Sequence, residues 1–290
     1  MKLKRYLTVF LLIFSSIACV SIEAFEQIRN SGSRTLSNIA RIWAENYQRL
    51  NPGVEITVIG SSSGAGIGEL INGSIEIVNS SQKLNEREIK LAAKRGRNPR
   101  AHIVAYDALA LYVHKANPLR SLSIPELAQI FAEGGKTTHW TNLGVEVPSC
   151  KQQRIMLFGR HNTAGSHNFF RRRVLGTEFY QSDVRNMFSP EEVVDHVAKN
   201  PCAIGYGSHT YAHQHVKMVC VSKDQGGACV KPNVETIVDR SYPIIRPLYM
   251  YTNDKPKAGI RAYLDWILSA EGQCIALKEG FAPVRSGTCP

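Results

Sequence analysis

The chain of 290 residues has no CxxC pair, no zinc-finger spacing and no basic run interleaved with aromatics. Dithiol redox catalysis, a structural zinc and nucleic-acid binding therefore lack their usual signatures. Internal repeats and low-complexity linkers are also missing, which excludes a collagen-like repeat, a coiled coil and domains strung on flexible tethers. Apolar runs long enough to meet a membrane are confined to the extreme N-terminus. What is present, 43% hydrophobic, 20% charged and 8% aromatic residues, is the balance of a folded chain and not of a disordered one. The length exceeds one ordinary core and points to about two domains.

Lys2, Lys4 and Arg5 form a basic start, Tyr6 to Val20 is almost wholly apolar, and Ser21-Ile22-Glu23-Ala24 offers a small-residue cleavage point. This layout predicts a secretory signal over residues 1–24 and a periplasmic mature protein. A lipid anchor at Cys19 is the alternative, although Ser16 stands where a lipoprotein signal normally has Leu. Cleavage removes Lys2, Lys4, Arg5 and Glu23, so the formal charge falls from +11 to +9. Such a basic exported chain suits an anionic partner. Arg171-Arg172-Arg173 reads as a solvated helix face. The six cysteines left after cleavage allow fifteen pairings in an oxidising compartment. Cys220 and Cys229 flank a glycine-rich turn and are paired here; Cys274–Cys289 and Cys150–Cys202 then follow by elimination.

Leu36, Ile39, Trp43, Tyr47 and Leu50 recur every three or four residues, which predicts an amphipathic helix ending at Asn51-Pro52-Gly53. Val54 to Ile59 and Ile75 to Val78 read as strands, Leu84 to Lys94 as a helix, and Ile103 to His114 as a long apolar segment. Ser123-Ile124-Pro125-Glu126 is a capping box, and Ser189-Pro190-Glu191-Glu192 repeats it for a helix over 190–199. A strand over Arg154 to Phe158, another over Ile244 to Thr252, and a helical pair striped by Tyr263, Trp266, Ile267, Cys274 and Leu277 follow. Strands alternating with helices predict an α/β architecture with mostly parallel sheets and helices on both faces.

Three segments rich in Ser, Thr and Gly each precede an amphipathic run: Ser31 to Thr35, Gly60 to Gly66, and Arg160 to Ser166. First-turn amides of a helix lack intrahelical partners and carry partial positive charge, glycine admits a ligand to the backbone, and hydroxyls add neutral donors. With Arg160 as a charge-assisted fork, the set suits a dehydrated oxyanion.

The same residues carry a family likeness. Gly60-Ser61-Ser62-Ser63-Gly64-Ala65-Gly66, Gly73 to Ile77, Ser80-Ser81, Gly159-Arg160 to Gly165-Ser166, Ala203-Ile204-Gly205-Tyr206, Tyr242-Pro243 to Tyr249 and Glu271-Gly272-Gln273 keep a common order. Together they make the chain resemble the phosphate-binding proteins of the high-affinity phosphate ABC transporter. The resemblance implies a two-lobed periplasmic type II binding-protein fold with the ligand in the cleft between lobes. Lobe I would take residues 25–108 and 247–290, and lobe II residues 109–246. It implies ligand contacts at Arg34, Thr35, Ser63, Ser81, Arg160, Gly165 and Ser166. The implied partners are inorganic phosphate or a related oxyanion and an ABC permease, with a monomeric protein, no cofactor, no metal and no covalent chemistry. Four positions depart from the family pattern. Ala164 replaces a hydroxyl residue, Asn162 an Asp that steadies the arginine, Ser81 an Asp that accepts a proton of phosphate, and Arg34 a small hydroxyl residue. Sulfate and arsenate are therefore the alternative ligands.

Two rival readings compete. Gly60-Ser61-Ser62-Ser63-Gly64 also fits the nucleophile elbow of a serine hydrolase or phosphatase, with Ser62 as nucleophile and Asp195 with His209 or His213 as partners. His209, His213 and His215 invite a metal, but without a carboxylate or Cys pattern they are expected on an exposed loop. His161 and His167 flank the anion segment and are candidates for pH modulation.

Overall fold

The structure is a computed structural model that describes residues 26–285 and 289, so the expected signal and Cys19 lie outside the described residues. The chain opens with β1 (Glu26–Ser33), α1 (Arg34–Leu50), β2 (Val54–Ser61), α2 (Ser63–Asn72), β3 (Ile77–Ser80) and α3 (Glu86–Lys94). β1 lies between β2 and β3, parallel to both, as right-handed β-α-β connections require. β4 (Pro99–His114) is long, and from Val104 to Val113 it is mostly buried and apolar apart from Asp107. After β5 (Ser121–Ser123) come α4 (Ile124–Phe131), β6 (Met156–Arg160), α5 (Gly165–Phe170) and β7 (Arg185–Met187). The chain continues through α6 (Pro190–Lys199), β8 (Ala203–Ser208), β9 (Val216–Ser222) and α7 (Val234–Val238). It closes with β10 (Ile245–Asn253), α8 (Ala258–Ile267) and α9 (Ala270–Lys278).

The strands form one path, β2-β1-β3-β10-β4-β8-β6-β7, with β9 and β5 branching from β4. Five of the nine strand pairings are parallel, and every antiparallel one involves β4 or β10. β4 changes partners midway: Pro99 to Ala108 pair with β10, whereas Leu109 to Val113 pair with β8. Alternation along the strands assigns the layers. Ile77, Leu248 and Met250 join the core under α1, α8 and α9, while Val78, Tyr249 and Tyr251 join that under α2 and α3. Beyond Ala108 the same rule sends Leu109, Leu111 and Val113 towards α4 and α5, and Ala110 and Tyr112 towards α6.

Most expected elements are present, with shifted edges. The stripe of α1 is buried from Leu36 to Tyr47, but Leu50 is exposed because it occupies the helix's last turn, just before the cap at Asn51. Leu277 is likewise exposed near the end of α9. Trp43 is fully buried, and its indole donates to the Gly272 carbonyl at 2.8 Å. Ser123 and Glu126 make a complete capping box. At α6 only half of one forms: Ser189 Oγ accepts from the Glu192 amide, but the Glu192 carboxylate takes the Phe188 amide instead. The cysteines pair as Cys150–Cys202, Cys220–Cys229 and Cys274–Cys289.

Candidate functional site

The three hydroxyl-rich segments converge. α1 begins after Ser33, whose side chain makes no capping bond to its own helix. Its Oγ turns instead to Ser81 Oγ at 3.0 Å, just beyond β3. Ser63, the first residue of α2, accepts from the Ser81 amide at 3.1 Å and lies 3.4 Å from Ser81 Oγ. The neighbouring Ser62 performs the capping, accepting from Ala65 N at 3.2 Å. From the other half of the sheet, Gly165 at the start of α5 presses onto this cluster. A Cβ there would collide with Ser81 Oγ and stand 2.7 Å from Ser63 Oγ, so the close approach requires glycine. Ala164 precedes it without a side-chain cap, which leaves first-turn amides of α5, like those of α1, without a side-chain acceptor.

Two arginines flank the cluster. Arg246 is 0% exposed; its Nε and Nη2 donate to Asp107 Oδ2 at 2.9 and 2.7 Å. Nη1 donates to Ser166 Oγ at 2.7 Å, and Nη2 also reaches Thr35 Oγ1 at 3.4 Å. These bonds occupy one lone pair on each hydroxyl and leave the hydroxyl protons free to point elsewhere. Asp107 is saturated as well, its Oδ1 accepting from Ser208 Oγ and facing His209 Nδ1. Burial works to raise Asp107, but Arg246, then His209 and Ser208, outweigh it and hold the carboxyl below its usual range.

Arg160, at the end of β6, is 2% exposed. Nη2 donates to the Phe188 carbonyl at 2.9 Å, while Nε and Nη1 meet no hydrogen-bond partner among the described residues. Burial, with repulsion from Arg246 adding to it, pushes its guanidinium down to about 10, still charged at neutral pH. A ring of bonds fixes its backbone. Its amide donates to Tyr206 Oη, which meets Tyr180 Oη at 2.9 Å; Tyr180 donates to the His167 carbonyl, and His167 Nδ1 returns to the Arg160 carbonyl. Burial lowers His167 below the usual imidazole range, so it serves this ring as a neutral donor.

All seven expected contact residues fall in this region. Arg34 is half-buried and donates through Nη1 to the same Phe188 carbonyl as Arg160, at 3.1 Å. Asn162 is exposed, and the Phe188 carbonyl takes over the steadying of Arg160. Contacts bridge the two halves nearby: Gly64 N donates to Thr163 O at 3.0 Å, and Asn168 Nδ2 to Gln82 Oε1 at 2.8 Å. Sequence reasoning placed Ser33 in an anion segment without giving it a contact, and missed Asp107, Arg246, Tyr206 and the Phe188 carbonyl as parts of the site. Arg246 lay inside a quoted motif, but nothing local marks an arginine in a strand as buried.

The expectation of an exposed loop fails for His209. β8 continues to Ser208, and a short turn folds His209 back, with Nδ1 at 3.0 Å from Asp107 and Nε2 at 2.9 Å from the Gly280 carbonyl. His213 instead faces Asp195, at 3.7 Å. The hydrolase partners are thereby divided among separate contacts: Ser62 with Ala65, Asp195 with His213, and His209 with Asp107.

The family described as PBP superfamily domain matches residues 20–271. A phosphate-binding protein PstS of Pseudomonas aeruginosa is 32% identical over 264 residues, covering 87% of this chain and 81% of that protein. Protein SphX of Synechococcus elongatus is 27% identical, covering 87% of this chain and 76% of its own. Among solved structures, a phosphate ABC transporter substrate-binding protein of Clostridium perfringens, with phosphate bound, is similar at a TM-score of 0.79. It is 27% identical, covering 90% of this chain and all of that one.

Proposed function

This chain belongs to the PBP superfamily, and from that premise we propose that it is an exported solute-binding protein that captures inorganic phosphate and delivers it to an ABC transporter permease. The observation that carries the reading is Arg160: a charged guanidinium, 2% exposed, whose Nε and Nη1 are unpaired beside converging hydroxyls. A buried charge without a counter-charge is strongly disfavoured, and a tetrahedral anion seated among Ser63, Ser81, Gly165 and Arg160 supplies it. Thr35 and Ser166, each already accepting from Arg246, present their protons to that anion. Arg34 adds a second cation at the lip. The lobes divide at 108/109 and 246/247, a division supported by the change of partner along β4. Their closure exchanges water for fixed donors and signals occupancy to the permease.

Export into the periplasm is supported by the N-terminal sequence and by the three disulfides. The reading assigns no covalent chemistry, which the capping role of the Ser62 hydroxyl at α2 supports. A thermal-shift screen of tetrahedral anions on oxidised, leaderless protein tests the reading. Phosphate is expected to raise the melting temperature most, with arsenate close behind. Because Asp107 has no spare oxygen and Ser81 is no carboxylate, sulfate is expected to give a smaller but measurable shift. No shift with any tetrahedral anion would refute the assignment.

A further inference from the structure

Beside the hydroxyl cluster, and between the same two halves of the molecule, lies a groove of about 660 Å³. Its walls come from the segment after β3, from β4 and β10, and from the end of α5 with Arg240. Ser81 of the cluster and Arg246 beside it also line the groove. Four further cations line it: Lys83, Arg172, Arg173 and Arg240. None of these four makes an ion pair among the described residues, and no carboxylate lines the groove. The remaining wall is largely apolar, with Leu84, Ile103, Phe169 and the rings of Tyr106 and Tyr249.

Two of the cations are placed rather than merely present. Arg240 holds a left-handed backbone, φ 65°, which a non-glycine residue adopts at some conformational expense. In that conformation its guanidinium lies over the Tyr106 ring, 4.2 Å from the centroid. Arg173 is steadied through Nε, which donates to the Pro243 carbonyl at 2.9 Å. Arg172 and Arg173 are exposed on a helical turn, as expected for a solvated face, and Arg173 is held by this bond besides.

We propose that this groove is a second binding site, for a phosphate monoester with a flat ring system of the size of a nucleoside monophosphate. Guanidiniums grip the phosphate with paired donors, and apolar and aromatic walls take the ring. Inorganic phosphate alone would leave those walls against water. Walls drawn from both halves, together with the shared Ser81 and Arg246, couple the groove to the cleft, so occupancy of one site alters affinity at the other. The site needs no particular ligand in the cleft, although the coupling rests on the reading given above.

Calorimetry with adenosine monophosphate tests it. Saturable binding is expected in protein already saturated with inorganic phosphate, and in Arg160→Ala protein that no longer binds phosphate. Arg240→Ala and Arg172→Ala, each on an exposed side chain, should weaken it roughly tenfold or more, and adenosine should bind far more weakly than its monophosphate. Absence of binding, full displacement by inorganic phosphate, or equal affinity for adenosine would each overturn the proposal. If phosphate itself fails to bind while the monophosphate binds as described, the cleft assignment fails and the groove stands.

Discussion

Gly165 marks a close approach between the two halves of the molecule at the candidate site. Its missing Cβ lets α5 reach Ser63 and Ser81, so Gly165→Ala forces α5 away from them. The expected outcome in calorimetry is a loss of phosphate affinity of about tenfold or more, larger than the about 1 kcal/mol ascribed to one hydroxyl hydrogen bond. Arg160 sets the pH behaviour. Its folded value is depressed to about 10 by burial, so its charge is intact through neutrality and lost as pH rises through that value. Phosphate affinity should therefore hold to about pH 9 and fall steeply above 10, as titrations at a series of pH values will show. Ser63, Arg160 and Gly165 lie in segments whose hydroxyls and glycines before helix starts have a local physical meaning, whereas Ser81, just beyond β3, was expected from the family resemblance alone. Arg246 and Asp107 were not legible, since their pairing joins positions 139 residues apart.

Helix starts divide into two kinds in this protein. α2, α4 and α6 are capped by Ser62, Ser123 and Ser189, whereas α1, α5 and α8 open without side-chain caps, and of these α1 and α5 face the candidate site. Capping is a matter of stability and not of binding. Ser123→Ala removes the bond that Oγ accepts from the Glu126 amide and the one it donates to the Glu126 carboxylate, while the Ser123 amide keeps its own bond to that carboxylate. It should lower unfolding free energy by about 1 kcal/mol in chemical denaturation, with phosphate affinity unchanged. Periodicity found α1, whose stripe is buried from Leu36 to Tyr47, and capping signals found α4 and α6. The sequence pattern placed β3 two residues early and gave no sign of β1, where Gln27, Arg29 and Asn30 alternate irregularly with apolar residues. β1 is specified by its two parallel neighbours, which a local reading cannot supply.

At the scale of the whole molecule, β4 and β10 hold the halves together, while the disulfides each stay within one region. Cys150–Cys202 closes a separation of 52 residues and fastens the turn before β6 to the start of β8. Replacing both with Ser should lower stability by up to about 4 kcal/mol through the loosened unfolded chain, seen as an earlier denaturant midpoint. Affinity for phosphate should be retained, because neither cysteine approaches the hydroxyl cluster. All three expected bridges are present, Cys220–Cys229 across its short loop and the pairs Cys274–Cys289 and Cys150–Cys202 assigned to the remaining cysteines. Fold class followed from alternating strands and helices, but the continuity of a single strand path through both halves did not, because it depends on β4 exchanging β10 for β8 at Ala108.

The central claim, that a buried guanidinium and converging hydroxyls form one anion site, is tested most directly by phosphate calorimetry on Arg160→Ala beside His213→Ala, both checked for cooperative melting. Loss of about a hundredfold or more in affinity for the first, with the second unchanged, is the expected result. Near-native affinity in both would contradict it.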